Sequence, residues 1–129
     1  MNKISIIVPC YNEDAALPIY YKEMCKIMAQ MKEEEFELIF VDDGSTDHTL
    51  AEMKTLHEKD ERCQYFSFSR NFGKEAAIYA GLKNATGEYA AIMDVDLQDP
   101  PSLLPKMYEI LQTEDYDSVA TRRSTRSGE

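Results

Sequence analysis

Strand-sized apolar runs alternate with segments of helical period along almost the whole chain, and that alternation limits the fold more than any other feature. Ile4 to Pro9 predicts a buried strand. Between Ala15 and Met31 the positions Leu17, Tyr20, Met24, Ile27 and Met31 repeat at helical spacing. Phe36 to Val41 predicts a second strand, and Asp47 can cap a helix carrying Leu50, Met53 and Leu56. Cys63 to Phe68 predicts a third strand. Gly73 to Ala85 follows as a helix of small residues, with Gly87 as its C-terminal stop. Glu88 to Met93 predicts a fourth strand. Pro100-Pro101 then opens a helix carrying Leu103, Leu104, Met107, Ile110 and Leu111, and Tyr116 to Thr121 predicts a fifth strand. Strands separated by such helices imply an α/β fold, a mainly parallel sheet with helices on both faces. At 129 residues the chain is expected to form a single domain, 1–129.

Charge and apolar patterning exclude several classes. A net charge of −10 repels a nucleic-acid backbone, so DNA or RNA is not an expected partner. No run approaches the roughly 18 consecutive apolar residues of a membrane span, and the N-terminus has no signal-peptide layout. Cys10, Cys25 and Cys63 form no Cys-x-x-Cys pair and read as reduced thiols, consistent with a cytoplasmic chain. His48 and His57 lie too far apart to suggest a metal pair, and each reads as a solvated helix residue.

In sheets of this kind ligands bind beyond the carboxyl ends of the strands. The unusual polar residues fall there. The first strand runs into Cys10-Tyr11-Asn12-Glu13, the second into Asp42-Asp43-Gly44-Ser45-Thr46-Asp47, and the third into Ser69-Arg70-Asn71-Phe72-Gly73-Lys74. The fourth runs into Asp94-Val95-Asp96-Leu97-Gln98, and the fifth into Arg122-Arg123. In a strand, residues i and i+2 point the same way, so Asp94 and Asp96 can converge on one hard cation. The Gln98 amide oxygen is a further candidate ligand. Mg²⁺ and Mn²⁺ favour such oxygen donors, completed by water and substrate phosphates. Taken alone, an Asp-x-Asp is equally an acidic solvated turn.

The chain has no Gly-x-Gly-x-x-Gly after the first strand and no Gly-Lys-Ser/Thr phosphate loop. A nucleotide bound here therefore needs a cation to offset its diphosphate. Asp42 or Asp43 can accept hydrogen bonds from a base or ribose, and Tyr11 offers a face for a base. Plain alternatives stand beside each: a turn and helix cap for Asp42 to Asp47, and a rim aromatic for Tyr11. Lys74 reads equally as a surface lysine, and Arg70 as a loop residue.

Together, Ile4 to Glu13, Phe40 to Asp47, Ser69 to Gly81 and Asp94 to Pro101 resemble the nucleotide-sugar half of a family 2 glycosyltransferase. Arg70-Asn71-Phe72-Gly73-Lys74-Glu75-Ala76-Ala77 followed by Asp94-Val95-Asp96-Leu97-Gln98-Asp99-Pro100-Pro101 is similar to its polyprenyl-phosphate branch. That branch includes bactoprenol glucosyltransferases and dolichyl-phosphate mannosyltransferases. The resemblance implies a Rossmann-like GT-A fold and inverting transfer of a sugar from a nucleoside diphosphate, UDP by preference, to a lipid phosphate. Carried over by position, Pro9, Tyr11, Glu13, Val41, Asp43, Val95 and Arg122 surround the nucleotide. Asp94 and Asp96 take the catalytic positions and, with Gln98, hold Mg²⁺ or Mn²⁺ and the diphosphate. Lys74 lies along the donor pocket without an assigned role. The resemblance further implies a longer enzyme at the cytoplasmic face of the membrane, whose lipid-phosphate acceptor binds through a C-terminal region beyond Glu129.

Two other readings of the function remain open: a saccharide acceptor within the same family, and a noncatalytic nucleotide-sugar module. A signalling receiver domain is excluded by placement. It needs an acid pair after the first strand and an aspartate after the third, where this chain has Cys10-Tyr11-Asn12 and Ser69-Arg70.

Overall fold

A computed structural model describes residues 2–96, 104–106, 108–109 and 119–120. The elements follow in the order β1 (Lys3–Cys10), α1 (Ala16–Gln30), β2 (Glu35–Asp42), α2 (Thr49–Lys59), β3 (Cys63–Ser67), α3 (Lys74–Asn84), β4 (Tyr89–Ile92) and β5 (Val119–Ala120). The sheet order is β3-β2-β1-β4-β5, and every neighbouring pair is parallel. Residues 104–106 and 108–109 are helical, within the helix that Pro100-Pro101 was expected to open. Pro100, Pro101 and Leu103 themselves lie outside the described residues. Among the described residues, no helix is long and apolar enough to cross a membrane.

The two faces of β1 and β2 separate cleanly, as the two-residue strand period requires. Ile4, Ile6, Val8, Leu38 and Phe40 pack with Leu17, Tyr20 and Met24 of α1 and Met53 and Leu56 of α2. Ile39 and Val41 face the opposite way, against Ala77 of α3. Small residues let α3 sit close to the sheet: a Cβ added at Gly81 would lie 2.5 Å from the Ile7 side chain. The expected helices on both faces are therefore present, and β1 and β2 are continuous buried strands because both their faces are covered.

Gly87 does not act as the helix stop that the sequence suggested. The chain leaves α3 through Ala85 in extended conformation. Gly87 is required for close approach instead: a Cβ there would meet the Lys3 carbonyl oxygen at 2.6 Å. Its amide donates to Ser5 Oγ at 2.9 Å.

That contact belongs to a polar network at the amino ends of the strands, centred on Glu37. Glu37 is 2% exposed. It accepts hydrogen bonds from Ser5 Oγ (2.5 Å), the Thr86 amide (2.6 Å) and Gln64 Nε2 (3.2 Å), with Lys3 Nζ at 3.7 Å. Burial by itself raises the Glu37 pKa, but the Ser5 and Thr86 hydrogen bonds and the Lys3 charge outweigh it, and the net shift is downward. A carboxyl whose pKa falls on folding stabilises the fold above its unfolded pKa, about 4.3, and loses that contribution as pH drops through the folded value. Urea midpoints measured from pH 7 to pH 3 should therefore fall less steeply in Glu37→Gln than in the native chain. At pH 7, Glu37→Ala should cost about 3 kcal/mol, since several buried donors lose a charged acceptor. An unchanged acid limb in Glu37→Gln would show that Glu37 is not linked to folding.

Candidate donor-binding site

The order of the sheet creates a switch point between β1 and β4. From β1 the chain moves outward through β2 and β3, then α3 carries it back across to β4 on the other side of β1. A crevice beyond the carboxyl ends of such strands is the usual ligand position in open α/β sheets. Here it is a cleft of about 290 Å³ lined by Pro9, Cys10, Tyr11, Asp43, Lys74, Asp94, Val95 and Asp96.

β1 delivers Pro9, Cys10 and Tyr11 to one wall. Tyr11 is 46% exposed, so much of its side-chain surface is open to solvent. The chain turns sharply at Asn12, whose φ of 53° is left-handed. Asn12 is held there because the first two loops interlock. Its amide donates to Ser45 Oγ (2.9 Å), and its side-chain oxygen accepts from the Thr46 amide (2.8 Å). Asp47 accepts from the amide of Thr49, the first residue of α2, at 2.9 Å, but the N-cap position itself is His48, which makes no side-chain capping bond. For Ser45 to Asp47 the structure shows the turn of the plain reading, while the helix cap expected at Asp47 falls one residue later, at His48.

The adjacent acids Asp42 and Asp43 do different work. Asp42 is buried and closes its own turn, accepting from the Ser45 amide (2.9 Å) and Ser67 Oγ (3.0 Å). Asp43 reaches across to the loop before α3. It accepts from the Phe72 amide (2.8 Å), the Gly73 amide (3.1 Å) and Asn71 Nδ2 (3.2 Å). Gly44 permits that loop to close. Its φ is 72°, and a Cβ there would lie 2.2 Å from the Arg70 carbonyl carbon. Asp43 and Gly44 thus form the seat on which residues 70–73 rest.

β4 supplies the acids. The Met93 amide still pairs with the Ile7 carbonyl at 2.9 Å, after which residues 95–96 form a turn. Asp94 and Asp96 nevertheless line the same cleft, because the buried Val95 side chain between them joins the core. Lys74, the first residue of α3, places Nζ 2.7 Å from Asp94 Oδ1. Glu13 does not line the cleft but lies near enough to feel it. Its carboxyl pKa is raised, first by burial and then by the charges of Asp96, Asp47 and Asp94. Burial also pushes up the Cys10 thiol, helped by Glu13, Asp42 and Asp94, so Cys10 is a poor nucleophile.

Of the residues expected around a nucleotide, Pro9, Tyr11, Asp43, Asp94, Val95 and Asp96 come together in the cleft. Val41 does not line it: its side chain is wholly buried beneath α3 with Ile39 and Ala77. Gln98 and Arg122 lie outside the described residues. Among the described residues, no three His, Cys, Asp or Glu side chains form a ready metal cage. Two carboxylates opening onto one cleft still suit Mg²⁺ or Mn²⁺, which takes one or two protein carboxylates and fills the remaining positions with water and phosphate oxygens.

The family profile described as Glycosyl transferase family 2 matches residues 5–129. The chain belongs to glycosyltransferase family 2. It is 43% identical over 125 residues to a prophage bactoprenol glucosyl transferase homolog of Escherichia coli (strain K12), an alignment covering 97% of this chain and 40% of that protein. The chain thus spans about 40% of that relative's length. Among solved structures, the mannosyltransferase PcManGT from Pyrobaculum calidifontis, in complex with GDP-Man and Mn²⁺, superposes with a TM-score of 0.69 at 24% identity. That alignment covers 85% of this chain and 32% of the other. S. aureus TarS 1-349 in complex with UDP gives a TM-score of 0.58 at 27% identity, over 82% of this chain and 33% of that one. These neighbours place the family 2 chain in the GT-A fold, as the motifs implied.

Proposed function

We propose that this chain is the donor-binding part of an inverting glycosyltransferase that moves a sugar from UDP to a polyprenyl phosphate. The observation that carries the reading is the convergence of Pro9, Tyr11, Asp43, Lys74, Asp94 and Asp96 on one cleft at the switch point of the sheet. The similarity to a bactoprenol glucosyl transferase homolog supports the lipid acceptor, and the likeness to S. aureus TarS 1-349 in complex with UDP supports the base.

In this reading Tyr11 and Pro9 pack against the nucleoside, whose polar edge meets the β2 end near Asp43. Asp94 and Asp96 hold Mg²⁺ or Mn²⁺. When bound, the cation offsets negative charge gathering on the departing diphosphate. Asp94 and Asp96 opening onto one cleft supply the negative charge that a cation would offset. A sugar hydroxyl attacking the anomeric carbon would need a general base. A phosphate monoester, with a second pKa of about 6, is ionised near neutral pH and needs none.

The test has two arms. In thermal shift with Mn²⁺, UDP and UDP-sugars should raise the melting temperature, with about 2.7 kcal/mol of stabilisation at one hundred times Kd. ADP should do far less. Labelled UDP-sugar supplied with undecaprenyl phosphate to membranes from cells expressing the whole enzyme of which this chain is the donor-binding part should give organic-extractable label, whereas the 129-residue chain alone should give none. UDP binding without any lipid product would remove the acceptor from the proposal, and failure of UDP to stabilise the chain would remove the donor.

A further inference from the structure

Lys74 is the only lysine or arginine lining the cleft among the described residues, and it holds Asp94 where a cation is expected. Its backbone and its side chain have opposite characters. The backbone is fixed, because the preceding Gly73 donates to Asp43 and turns at a φ of 107°. The side chain is 50% exposed and ends a flexible four-carbon stem, so its ammonium can exchange partners. Asp94, by contrast, is only 14% exposed and sits where the chain has just left the sheet.

Resting on the donor-site reading above, we propose that Lys74 is an exchangeable counter-ion for Asp94 that makes divalent-cation binding and nucleoside-diphosphate binding interdependent. An ammonium 2.7 Å from Asp94 Oδ1 would compete with a cation for that carboxylate's charge. A cation arriving alone must displace Lys74 and leave that charge beside its own, with Asp96 and Glu13 as the remaining acids nearby. A diphosphate arriving with the cation gives the displaced ammonium a new anionic partner within reach. Each ligand then improves the site for the other, and the improvement is the same factor in both directions. Without ligand, the pair also limits the repulsion among Asp94, Asp96 and Glu13.

Lys74→Met tests this, because it keeps the length of the stem and removes the charge. Mn²⁺ is titrated calorimetrically into the chain with and without saturating UDP. In the native chain, UDP should tighten Mn²⁺ binding by about tenfold or more. In Lys74→Met, Mn²⁺ alone should bind about fivefold tighter than to the native chain, and the gain from UDP should shrink by a similar factor. Lys74→Arg should restore native coupling. Lys83→Met removes the same charge from the exposed far end of α3 and should leave both titrations unchanged. Circular dichroism matching the native spectrum secures the fold of each variant. If Lys74→Met binds Mn²⁺ alone no tighter than the native chain, the counter-ion proposal is overturned, whatever happens to UDP. Loss of UDP binding with Mn²⁺ alone unchanged would make Lys74 a simple donor contact, which also overturns it. Absence of metal-dependent UDP binding in the native chain is a different failure, and it removes the donor site itself.

Discussion

Replacing Asp94 and Asp96 together by asparagine is expected to abolish metal-dependent UDP binding while leaving the chain folded. The two carboxylates are the only acids that the β4 end contributes to the cleft among the described residues. Asparagine keeps the volume and one oxygen of each side chain but removes the charge that would hold a divalent ion. Losing two contacts to charged groups, each worth about 1.5–3 kcal/mol, weakens binding by about a hundredfold or more. The fold should tolerate the change. Lys74 loses its partner, but it is half exposed, and such pairs contribute at most about 1 kcal/mol. Burial is the first cause of the raised Glu13 pKa, and relief of the Asp96 and Asp94 repulsion that adds to it works in the stabilising direction. Calorimetry with Mn²⁺ present decides: undiminished UDP affinity in the double variant would sink the assignment of these acids to the metal.

How much of this site could be read from the sequence depended on how local the signal was. Asp94 and Asp96 stood out because an apolar strand ends directly before them, and the structure brings both to one cleft. The parallel pairing and the two covered faces followed from the alternation of strands and helices, whereas the strand order β3-β2-β1-β4-β5 did not. What stayed hidden depended on partners far along the chain. Nothing in Asp42-Asp43 says which acid closes its own turn and which reaches Phe72 and Gly73, some thirty positions away. Lys74 was placed along the donor pocket by resemblance but read equally as a surface lysine and had no assigned role, because its partner, Asp94, comes from the next strand. Val41 was expected beside the nucleotide, but the face of β2 it occupies is the one α3 covers. Glu37 drew no notice, since a single acid within a buried strand is indistinguishable in sequence from one at an exposed edge.

The most informative pair of substitutions is Asp43→Ala and Gly44→Ala, and both should release the loop at residues 70–73. Asp43 was expected to bind the nucleoside, yet both its oxygens already accept hydrogen bonds from Asn71, Phe72 and Gly73. Removing the carboxylate leaves those donors without their charged acceptor, at a cost of about 3 kcal/mol. The loop carries Gly73 and so fixes the start of α3, from which Lys74 reaches Asp94. Gly44→Ala reaches the same result without removing any polar group. A methyl group at Gly44 would collide with the Arg70 backbone at 2.2 Å, and a φ of 72° adds strain of about 1 kcal/mol or more. The two variants should therefore share one phenotype: a lower melting temperature together with weaker UDP binding. Asp43→Ala with an unchanged melting temperature, weakened equally for UDP and uridine, would instead make Asp43 a direct nucleoside contact and no loop anchor. If Gly44→Ala then bound UDP normally, the cleft would not depend on the loop at all. The hydrogen bonds favour the first outcome, because an acid that is 4% exposed and fully engaged by its own chain has little capacity left for a ligand.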